Sequence, residues 1–164
     1  MIVPEVSFKY KQGGGSDWID IDTHHLFGNK RTVVFALPGA FTPTCSTKQL
    51  PAYEELYPEF MKYVSEVYCL SVNDSFVMDA WFKLSQIRNV KLIPDGSCEF
   101  TSAMGMAVNK ANLGFGYRSW RYAMVVNNEE IERIFEEPGK IGLCPADPYD
   151  ISSPQNVLNY LKEQ

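Results

Sequence analysis

The segment TVVFALPGAFTPTC, residues Thr32–Cys45, contains the strongest structural signal in this chain. Its first part, up to Leu37, is almost entirely apolar, which is typical of a strand buried in a central sheet. A Pro-rich turn follows, and then a helical pattern. Thr42 suits the N-cap of that helix, Pro43 its first residue and Cys45 its third, because Pro there needs no amide partner. The segment predicts a strand, a tight turn and a helix that begins beside a cysteine.

A cysteine in a first helical turn is expected to be reactive. Unpaired backbone amides and the positive end of the helix dipole face its sulfur. These surroundings favour the thiolate, which is the nucleophilic form of cysteine. We therefore expect Cys45 to be an exposed nucleophile.

The helical pattern after Cys45 contains two prolines, Pro51 and Pro58. A proline inside a helix costs about 3 kcal/mol, so the helix is predicted to bend or break. Its apolar positions are Leu50, Tyr53, Tyr57, Phe60 and Val64.

The remaining elements follow from periodicity and from turn residues. Strands are predicted at Val6–Lys11, Trp18–Asp22, Glu66–Val72, residues 91–93, Arg121–Val126 and Glu130–Phe135, with turns at Gly13-Gly14-Gly15 and Asn127-Asn128. Helices are predicted at Thr23–Phe27 with Thr23 as cap, after Asp74 with Phe76, Val77, Ala80, Trp81, Leu84 and Ile87 on one face, within residues 100–106, and at Ser153–Lys162. Residues 107–118 are predicted to be a loop. This order indicates an α/β, thioredoxin-like fold, with a central mixed β-sheet flanked by helices and an N-terminal β-hairpin.

Length and composition limit the class of protein. The 164 residues suit a single domain, residues 1–164, and the net charge of −5 argues against a nucleic-acid partner. No apolar run is long enough for a membrane span, and the start of the chain lacks an export pattern, so we expect a cytoplasmic protein. A mature form from which a transit peptide has been removed is the alternative. The four cysteines form no Cys-x-x-Cys pair and the only histidines are adjacent, so neither a metal nor another cofactor is expected.

Arg121 is the candidate cation for a Cys45 thiolate. It heads the apolar strand that ends at Val126, and alternation places it on the face of Ala123 and Val125. An arginine at the edge of a buried face needs an anion, and a thiolate would serve. The spacing alone equally allows an arginine that reaches solvent or pairs with a carboxylate.

Two further residues of the turn are candidates. The hydroxyl of Thr42 caps the helix, orients the oxygens of a substrate, or does both. Pro38 shields the thiolate from water without offering a hydrogen-bond donor, or simply ends the strand. A thiolate beside a hydroxyl, backbone amides and a guanidinium suits attack on an oxygen–oxygen bond, with the donors stabilising the departing oxygen. The product on sulfur would be a sulfenic acid.

Other functions are tested against the same residues. A disulfide oxidoreductase would have a second cysteine at position 42, which is Thr. A cysteine hydrolase needs a histidine base, but His24 and His25 precede the central strand. A redox sensor that signals through oxidised Cys45 remains open.

The motif PGAFTPTCS resembles the Pro-x-x-x-Thr-x-x-Cys active-site motif of peroxiredoxins. The segments LPAYEELYPEF, CLSVNDSFVMDAW, IPDGSCEFTSAMGM and NLGFGYRSWRYAMVV are similar to the type-five branch, which includes glutaredoxin-linked bacterial members, and the resemblance covers residues 2–163. It implies a thioredoxin-like fold and reduction of hydrogen peroxide and organic hydroperoxides. By the same resemblance, Cys45 is the peroxidatic cysteine, Thr42 orients the peroxide, Pro38 shields the sulfur and Arg121 activates it. The family also implies a homodimer formed near the active-site loop. Phe41, Phe76 and Trp81 are candidate contributors, although core packing explains Phe76 and Trp81 equally well.

The resemblance leaves two reaction cycles open. Glutaredoxin-linked members usually lack a resolving cysteine, so we favour a one-cysteine cycle completed by glutathione and glutaredoxin. Cys144 lies near the region where some type-five members carry a resolving cysteine, so an internal Cys45–Cys144 disulfide reduced by thioredoxin is the alternative. Cys69 is expected to be buried and inert, and Cys98 has no assigned function.

Overall fold

The computed structural model describes residues 1–11 and 17–164, and strands and helices alternate along most of the chain. The strands are β1 Ser7–Lys11, β2 Trp18–Asp22, β3 Arg31–Leu37, β4 Glu66–Ser71, β5 Lys91–Pro94, β6 Ala107–Asn109, β7 Tyr117–Ser119, β8 Tyr122–Asn127 and β9 Glu130–Glu136. The α-helices are α1 Thr23–Phe27, α2 Leu50–Glu55, α3 Tyr57–Phe60, α4 Ser75–Leu84, α5 Glu99–Ala103 and α6 Pro154–Lys162. A π-helical turn spans Cys45–Gln49 and a 3₁₀ turn spans Ala111–Leu113. The predicted turn at Gly13-Gly14-Gly15 lies outside the described residues.

The main layer is a five-stranded mixed sheet with the strand order β5-β4-β3-β8-β9. β4 runs parallel to β3 and β5, whereas β8 runs antiparallel to β3 and to β9. β3 lies at the centre and is buried from Thr32 to Leu37, because apolar cores cover both of its faces. The predicted mixed sheet is therefore confirmed.

Helices and loops cover both faces of this sheet. One core contains Val33, Phe35 and Leu37 of β3 together with residues from α2, α4 and α6. The other core contains Val34 and Ala36 of β3 with residues from α1, α5 and β1. This division follows from strand geometry, in which successive side chains point to opposite faces. Cys45 belongs to the first core.

The N-terminal hairpin and the late hairpin are also confirmed. β1 and β2 pair antiparallel as a separate two-stranded sheet. β8 and β9 are joined at Asn128 and Glu129, which have φ of 48° and 67°. Two consecutive positive φ angles are typical of a type I′ hairpin turn.

The predicted break in the helix after Cys45 is confirmed. α2 ends at Glu55 and α3 begins at Tyr57, with Leu56 at φ −90° and ψ 4° between them. Pro58 lies in the first turn of α3, where a missing amide hydrogen costs no helical bond.

The predicted loop at 107–118 is wrong, because β6 and β7 form a short antiparallel pair within it. Gly114 and Gly116 have φ of 74° and 71°, which lets the connection close. The amide of Lys110 donates to the carbonyl oxygen of Gly116 at 2.7 Å. Strands of three residues are too short to give a recognisable alternation, so the sequence pattern did not reveal them.

The predicted cap of α1 is wrong. The predicted apolar face of α4 is only partly buried, since Trp81, Val77 and Ile87 pack on the core. Asp22, not Thr23, caps α1 by accepting from the amide of His25. In α4 the buried residues are Ser75, Met78, Trp81 and Phe82, while Phe76 and Leu84 are 57% and 77% exposed. Apolar residues occur on two sides of this helix, so periodicity did not separate the core side from the side facing Trp18 of the hairpin.

No helix in the described ranges is both long and apolar enough to span a membrane.

Candidate active site

A tight turn connects the end of β3 to the helix that carries Cys45. The hydroxyl of Thr42 donates to the carbonyl oxygen of Gly39 at 2.8 Å, and the amide of Ala40 donates to Oδ1 of Asn73 at 3.0 Å. Phe41 has φ of 64°, a left-handed conformation that is strained for an aromatic residue, and is 50% exposed. The turn is therefore held closed by side chains on both sides of a strained residue.

The helix begins at Pro43, as predicted, and its first backbone bond runs from the amide of Ser46 to the carbonyl of Thr42 at 2.9 Å. At Cys45 it widens into a π-helical turn, in which the amide of Leu50 donates to the carbonyl of Cys45. Pro51 comes directly after this turn. A proline ring clashes with the carbonyl four residues earlier, and a widened turn relieves that clash. Pro51 thus explains why the helix is π-helical where it carries the thiol.

Arg121 is the residue that contacts the sulfur. Its Nη2 donates to Sγ of Cys45 at 3.3 Å, and its Nε donates to Oε1 of Gln49 at 2.9 Å. Its Nη1 donates to Oδ1 of Asp147 at 2.7 Å and to the carbonyl oxygen of Pro148 at 2.9 Å. A second bond from Nη2 reaches Oδ2 of Asp147 at 3.3 Å. These contacts match the five N–H donors of a guanidinium, so its orientation is fully determined.

The contact between Arg121 and Cys45 is buried, so the charge of the guanidinium depends on the side chains directly beside it. Arg121 is 1% exposed and Cys45 is 0% exposed. Burial disfavours the charged guanidinium, but Cys45 and Asp147 outweigh it and raise the pKa of Arg121 above its ordinary value. The contacts with Asp147 and with the sulfur therefore favour a charged guanidinium in this buried position.

A second arginine faces the same turn. Nη1 of Arg118 donates to the carbonyl oxygen of Pro38 at 3.0 Å, and its Nε donates to that of Phe115 at 3.2 Å. Burial lowers the pKa of Arg118, and the nearby Cys45 opposes that effect. A Cβ atom at Gly39 would clash with Nη1 of Arg118. Only glycine leaves room for this guanidinium at the turn.

The C-terminal segment 147–152, called here the strap, reaches Arg121 from outside. The buried carboxylate of Glu137 accepts from the amides of Asp150, Ile151 and Ser152 and from the hydroxyl of Ser152. The amide of Glu137 in turn donates to the carbonyl of Arg121 at 3.2 Å. Glu137 thus fixes the segment that brings Asp147 and Pro148 to the guanidinium.

The structure brings the four sequence-predicted residues to one place. Cys45 and Arg121 are in direct contact, while Pro38 and Thr42 belong to the turn immediately before the helix. Pro38 is buried and its carbonyl is engaged by Arg118. The sequence allowed Arg121 to contact the sulfur of Cys45 or to pair with a carboxylate. In the structure Arg121 does both.

Two expectations at this site are wrong. The Thr42 hydroxyl closes the turn on Gly39 instead of capping the helix, because the carbonyl three residues earlier lies within reach of it. Cys45 is buried instead of exposed, because its helix turn packs the sulfur into the core beside Arg121.

The other cysteines are in different surroundings. Cys69 on β4 is fully buried, and burial, aided by Cys45, raises the pKa of its thiol well above the ordinary value. The expected burial is confirmed, and a thiol of raised pKa is a poor nucleophile. Cys98 and Cys144 are half-buried, and all four cysteines are free thiols. Cys144 and Cys45 lie on opposite faces of the central sheet. Cys45 belongs to one core, and Cys144 packs against the other.

Sequence reasoning missed Gln49, Arg118 and Asp147. Gln49 lies one turn after Cys45, and its helical spacing was a usable signal. Arg118 lies three residues before Arg121, in the segment predicted as a loop. Asp147 is distant from both and offered no pattern. Within residues 1–11 and 17–164, no cluster of three or more His, Cys, Asp or Glu residues could hold a metal ion.

Comparisons with known sequences and solved structures identify the same family of proteins. The sequence model of the Redoxin family matches residues 3–150. The chain is 60% identical over 146 residues to a peroxiredoxin of Rhizobium etli, covering 88% of this chain and 82% of that protein. It is 50% identical over 163 residues to the hybrid peroxiredoxin hyPrx5 of Haemophilus influenzae, covering 99% of this chain and 65% of that protein. The solved Plasmodium falciparum antioxidant protein, described as a 1-Cys peroxiredoxin, superposes with a TM-score of 0.94 at 40% identity, covering 100% of this chain and 99% of that one.

These matches agree with a mixed sheet that places a cysteine at the start of a helix and an arginine against its sulfur. The chain therefore has the thioredoxin-like fold and belongs to the peroxiredoxins, in a branch like peroxiredoxin 5, and is a thiol peroxidase.

Proposed function

We propose that Cys45 is the peroxidatic cysteine and that it reduces hydrogen peroxide and small organic hydroperoxides. The observation that carries this is the 3.3 Å contact between Nη2 of Arg121 and Sγ of Cys45, with both groups buried. A buried guanidinium stabilises the thiolate against the neutral thiol. It also lies where negative charge develops when an oxygen–oxygen bond breaks.

In the proposed step, the thiolate attacks one peroxide oxygen and the oxygen–oxygen bond breaks. The sulfur becomes a sulfenic acid, and the second oxygen leaves as water or an alcohol after it takes up a proton. The hydroxyl oxygen of Thr42 accepts a hydrogen bond from the peroxide hydroxyl. At the same time the Thr42 hydroxyl keeps donating its own hydrogen to the carbonyl oxygen of Gly39. Pro38 keeps water from the sulfur, and Arg118 adds a second positive charge at the turn.

Because Cys45 is 0% exposed, the turn from Pro38 to Thr42 has to move for peroxide to enter. The strained, exposed Phe41 and the π-helical turn are the segments nearest the sulfur with irregular backbone. Such segments open at low cost compared with regular helices and strands. A narrow, transient entrance favours hydrogen peroxide and slim hydroperoxides over bulky ones.

For the return to the thiol we propose a one-cysteine cycle. The thiolate of glutathione attacks the sulfenic acid, which releases water and leaves a mixed disulfide on Cys45. A second thiol, from glutaredoxin or glutathione, then attacks that disulfide and regenerates Cys45. The similarity to a 1-Cys peroxiredoxin over the whole chain supports this cycle, as does the packing of Cys144 on the opposite core.

The alternative is an internal disulfide between Cys45 and Cys144, reduced by thioredoxin. Cys144 is half-buried and lies three residues before Asp147, which contacts Arg121. A bridge between Cys45 and Cys144 requires the strap and its preceding loop to leave the position observed. Disulfide geometry requires the two Cα atoms to lie within about 7 Å of each other, whereas the two cysteines pack on different cores.

Mass spectrometry after one equivalent of hydrogen peroxide tests the site and the cycle together. We expect a glutathione adduct on Cys45 when glutathione is present and a sulfenic acid when it is absent. Cys144→Ser should keep peroxide turnover with glutathione and glutaredoxin, and Cys98→Ser is the matched control. A Cys45–Cys144 bridge would refute the one-cysteine cycle, and substantial turnover by Cys45→Ser would refute the site.

We also propose that the protein acts as a homodimer in the cytoplasm. Phe41 and Phe76 are 50% and 57% exposed, and aromatic residues are enriched at protein interfaces. Trp81, the third aromatic candidate, is instead buried and donates to Ser46. The four free thiols are consistent with a reducing compartment. Light scattering of Phe41→Asp against the unchanged protein tests the dimer.

A further inference from the structure

Asp147 takes two of the five hydrogen bonds of the Arg121 guanidinium. One joins Nη1 to Oδ1 at 2.7 Å, and the other joins Nη2 to Oδ2 at 3.3 Å. Nη2 is the same nitrogen that donates to Sγ of Cys45, also at 3.3 Å. The carboxylate and the sulfur are therefore close neighbours that share one donor group.

The paired bonds from Asp147 fix the plane of the guanidinium. A carboxylate that accepts from two nitrogens of an arginine sets both its position and its rotation. The remaining bonds, from Nε to Gln49 and from Nη1 to Pro148, agree with that orientation. With this plane fixed, Nη2 has its hydrogens directed at Asp147 and at the sulfur.

We propose that Asp147 is a positioning residue for the peroxidase reaction, which holds Arg121 in line with Cys45 while its negative charge limits how strongly Arg121 stabilises the thiolate. This rests on the proposed role of Cys45. Asp147 acts through Arg121 and has two separable effects. It improves the geometry of the donor, which raises the rate, and it repels the thiolate, which moves ionisation of the sulfur to higher pH.

The charged and titratable groups around this pair determine the sign of the second effect. Arg121 and Arg118 are the cations that face Cys45. Cys69 lies behind the sulfur on β4, and its raised pKa keeps it neutral. Burial raises the pKa of Tyr149, whose ring lies 5.7 Å from Cζ of Arg121, to about 12. The buried carboxylate of Glu137 is engaged by the amides of residues 150–152. Asp147 is the carboxylate that accepts from the same guanidinium nitrogen as the sulfur.

The test is the rate constant for the first peroxide step, measured by stopped flow as a function of pH. In Asp147→Asn, we expect the pH midpoint of the rate to fall by about half a unit, because a like charge is removed from a partly exposed site. We expect the limiting rate at high pH to fall about 10-fold, because the guanidinium is less well oriented. Asp147→Glu should keep the midpoint near that of the unchanged protein.

Two control variants distinguish a positioning role of Asp147 from a purely structural role. Asp150→Asn removes the same charge from the same segment, and the hydrogen bonds of Asp150 are made by its backbone, from its amide to Glu137 and from the amide of Ser153 to its carbonyl. It should leave both the midpoint and the limiting rate unchanged. In an Arg121→Ala background, Asp147→Asn should have little further effect on the rate, because Asp147 acts through Arg121.

The outcomes are distinguishable. If the unchanged protein is active but Asp147→Asn keeps its midpoint and limiting rate, or only lowers the unfolding midpoint in denaturant, the role of Asp147 is refuted and the proposed function stands. An upward shift of the pH midpoint also refutes it. If Cys45→Ser retains turnover, the proposed function itself fails.

Discussion

Thr42 lies in the turn that precedes Cys45, directly before the helix. Its hydroxyl donates to the carbonyl oxygen of Gly39 and so stabilises that turn. Because that bond uses the hydroxyl hydrogen, the oxygen lone pairs remain for a donor such as the peroxide hydroxyl.

This arrangement gives a prediction for Thr42. Thr42→Val keeps the shape but removes the hydroxyl, so we expect the peroxide rate constant to fall about 100-fold, the scale of losing an oriented polar contact in a transition state. Thr42→Ser keeps the hydroxyl and should lose less than about 10-fold. Stopped-flow kinetics with hydrogen peroxide measures both variants. Equal rates for the Val and Ser variants would exclude the hydroxyl from the reaction.

At the scale of elements, two segments far apart in sequence are needed to build the site. The π-helical turn supplies Cys45 and Gln49, and the strap supplies Asp147 and Pro148. Between them, β8 begins directly after Arg121. Glu137, which directly follows β9, holds the strap by four hydrogen bonds. The site therefore depends on the hydrogen bonds by which Glu137 holds the strap, as well as on the regular helices and strands.

Glu137 is accordingly a residue whose change should affect stability and reaction together. In Glu137→Gln the amide nitrogen has to face backbone amides, which leaves buried donors unpaired. We expect a loss of about 2–4 kcal/mol in the free energy of unfolding, measured in denaturant, with faster hydrogen exchange at residues 150–152. Glu136→Gln, on the adjacent and partly exposed position, is the matched control and should change stability little. Unchanged exchange in the Glu137→Gln protein would show that the strap is held by other contacts.

For the molecule as a whole, one ion-pair network joins the centre of the sheet to its edge and to the last helix. Nε and Nη2 of Arg31 donate to the two carboxylate oxygens of Glu132 at 3.0 and 2.6 Å. The hydroxyl of Tyr160 donates to Oε2 of Glu132 at 2.5 Å. Hydrogen bonding to Arg31, against the effect of burial and aided by Tyr160, lowers the pKa of Glu132 below its ordinary value.

The sign of this shift predicts how stability depends on pH. A carboxyl whose pKa is lowered by folding stabilises the folded protein above its unfolded pKa, and this contribution disappears as pH falls through the lowered pKa. Glu132→Gln should therefore cost about 1 kcal/mol at pH 7, and the difference from the unchanged protein should shrink below about pH 4. Denaturant unfolding at several pH values measures this, with the exposed Glu130→Gln as control. A difference that stays constant down to about pH 3 would contradict it.

We further propose that residues 1–164 form one domain. The two cores share β3, so neither can be exposed without the other. Unfolding of the unchanged protein, followed by fluorescence and by circular dichroism, should then give one coincident transition.

The sequence by itself determined the elements whose signals are local. The apolar run of β3, the proline at the start of the next helix and the cysteine two residues later were sufficient to place a strand, a turn and a thiol in the first turn of a helix. The motif and its neighbours also carried the family. These features depend on residues within about ten positions of each other, where periodicity and capping preferences act.

Only the tertiary structure decided how that thiol is surrounded. Three features join segments that are distant along the chain: the burial of Cys45, the contacts of Arg121 with both Cys45 and Asp147, and the hydrogen bonds of Glu137 to the strap. The alternation along the strand after Arg121 indicated which face Arg121 occupies. No sequence pattern near Asp147 indicated that it would pair with Arg121. The reason is physical: a buried charge is stable only when its counter-charge and hydrogen-bond partners reach it from other elements, and packing alone brings those elements together.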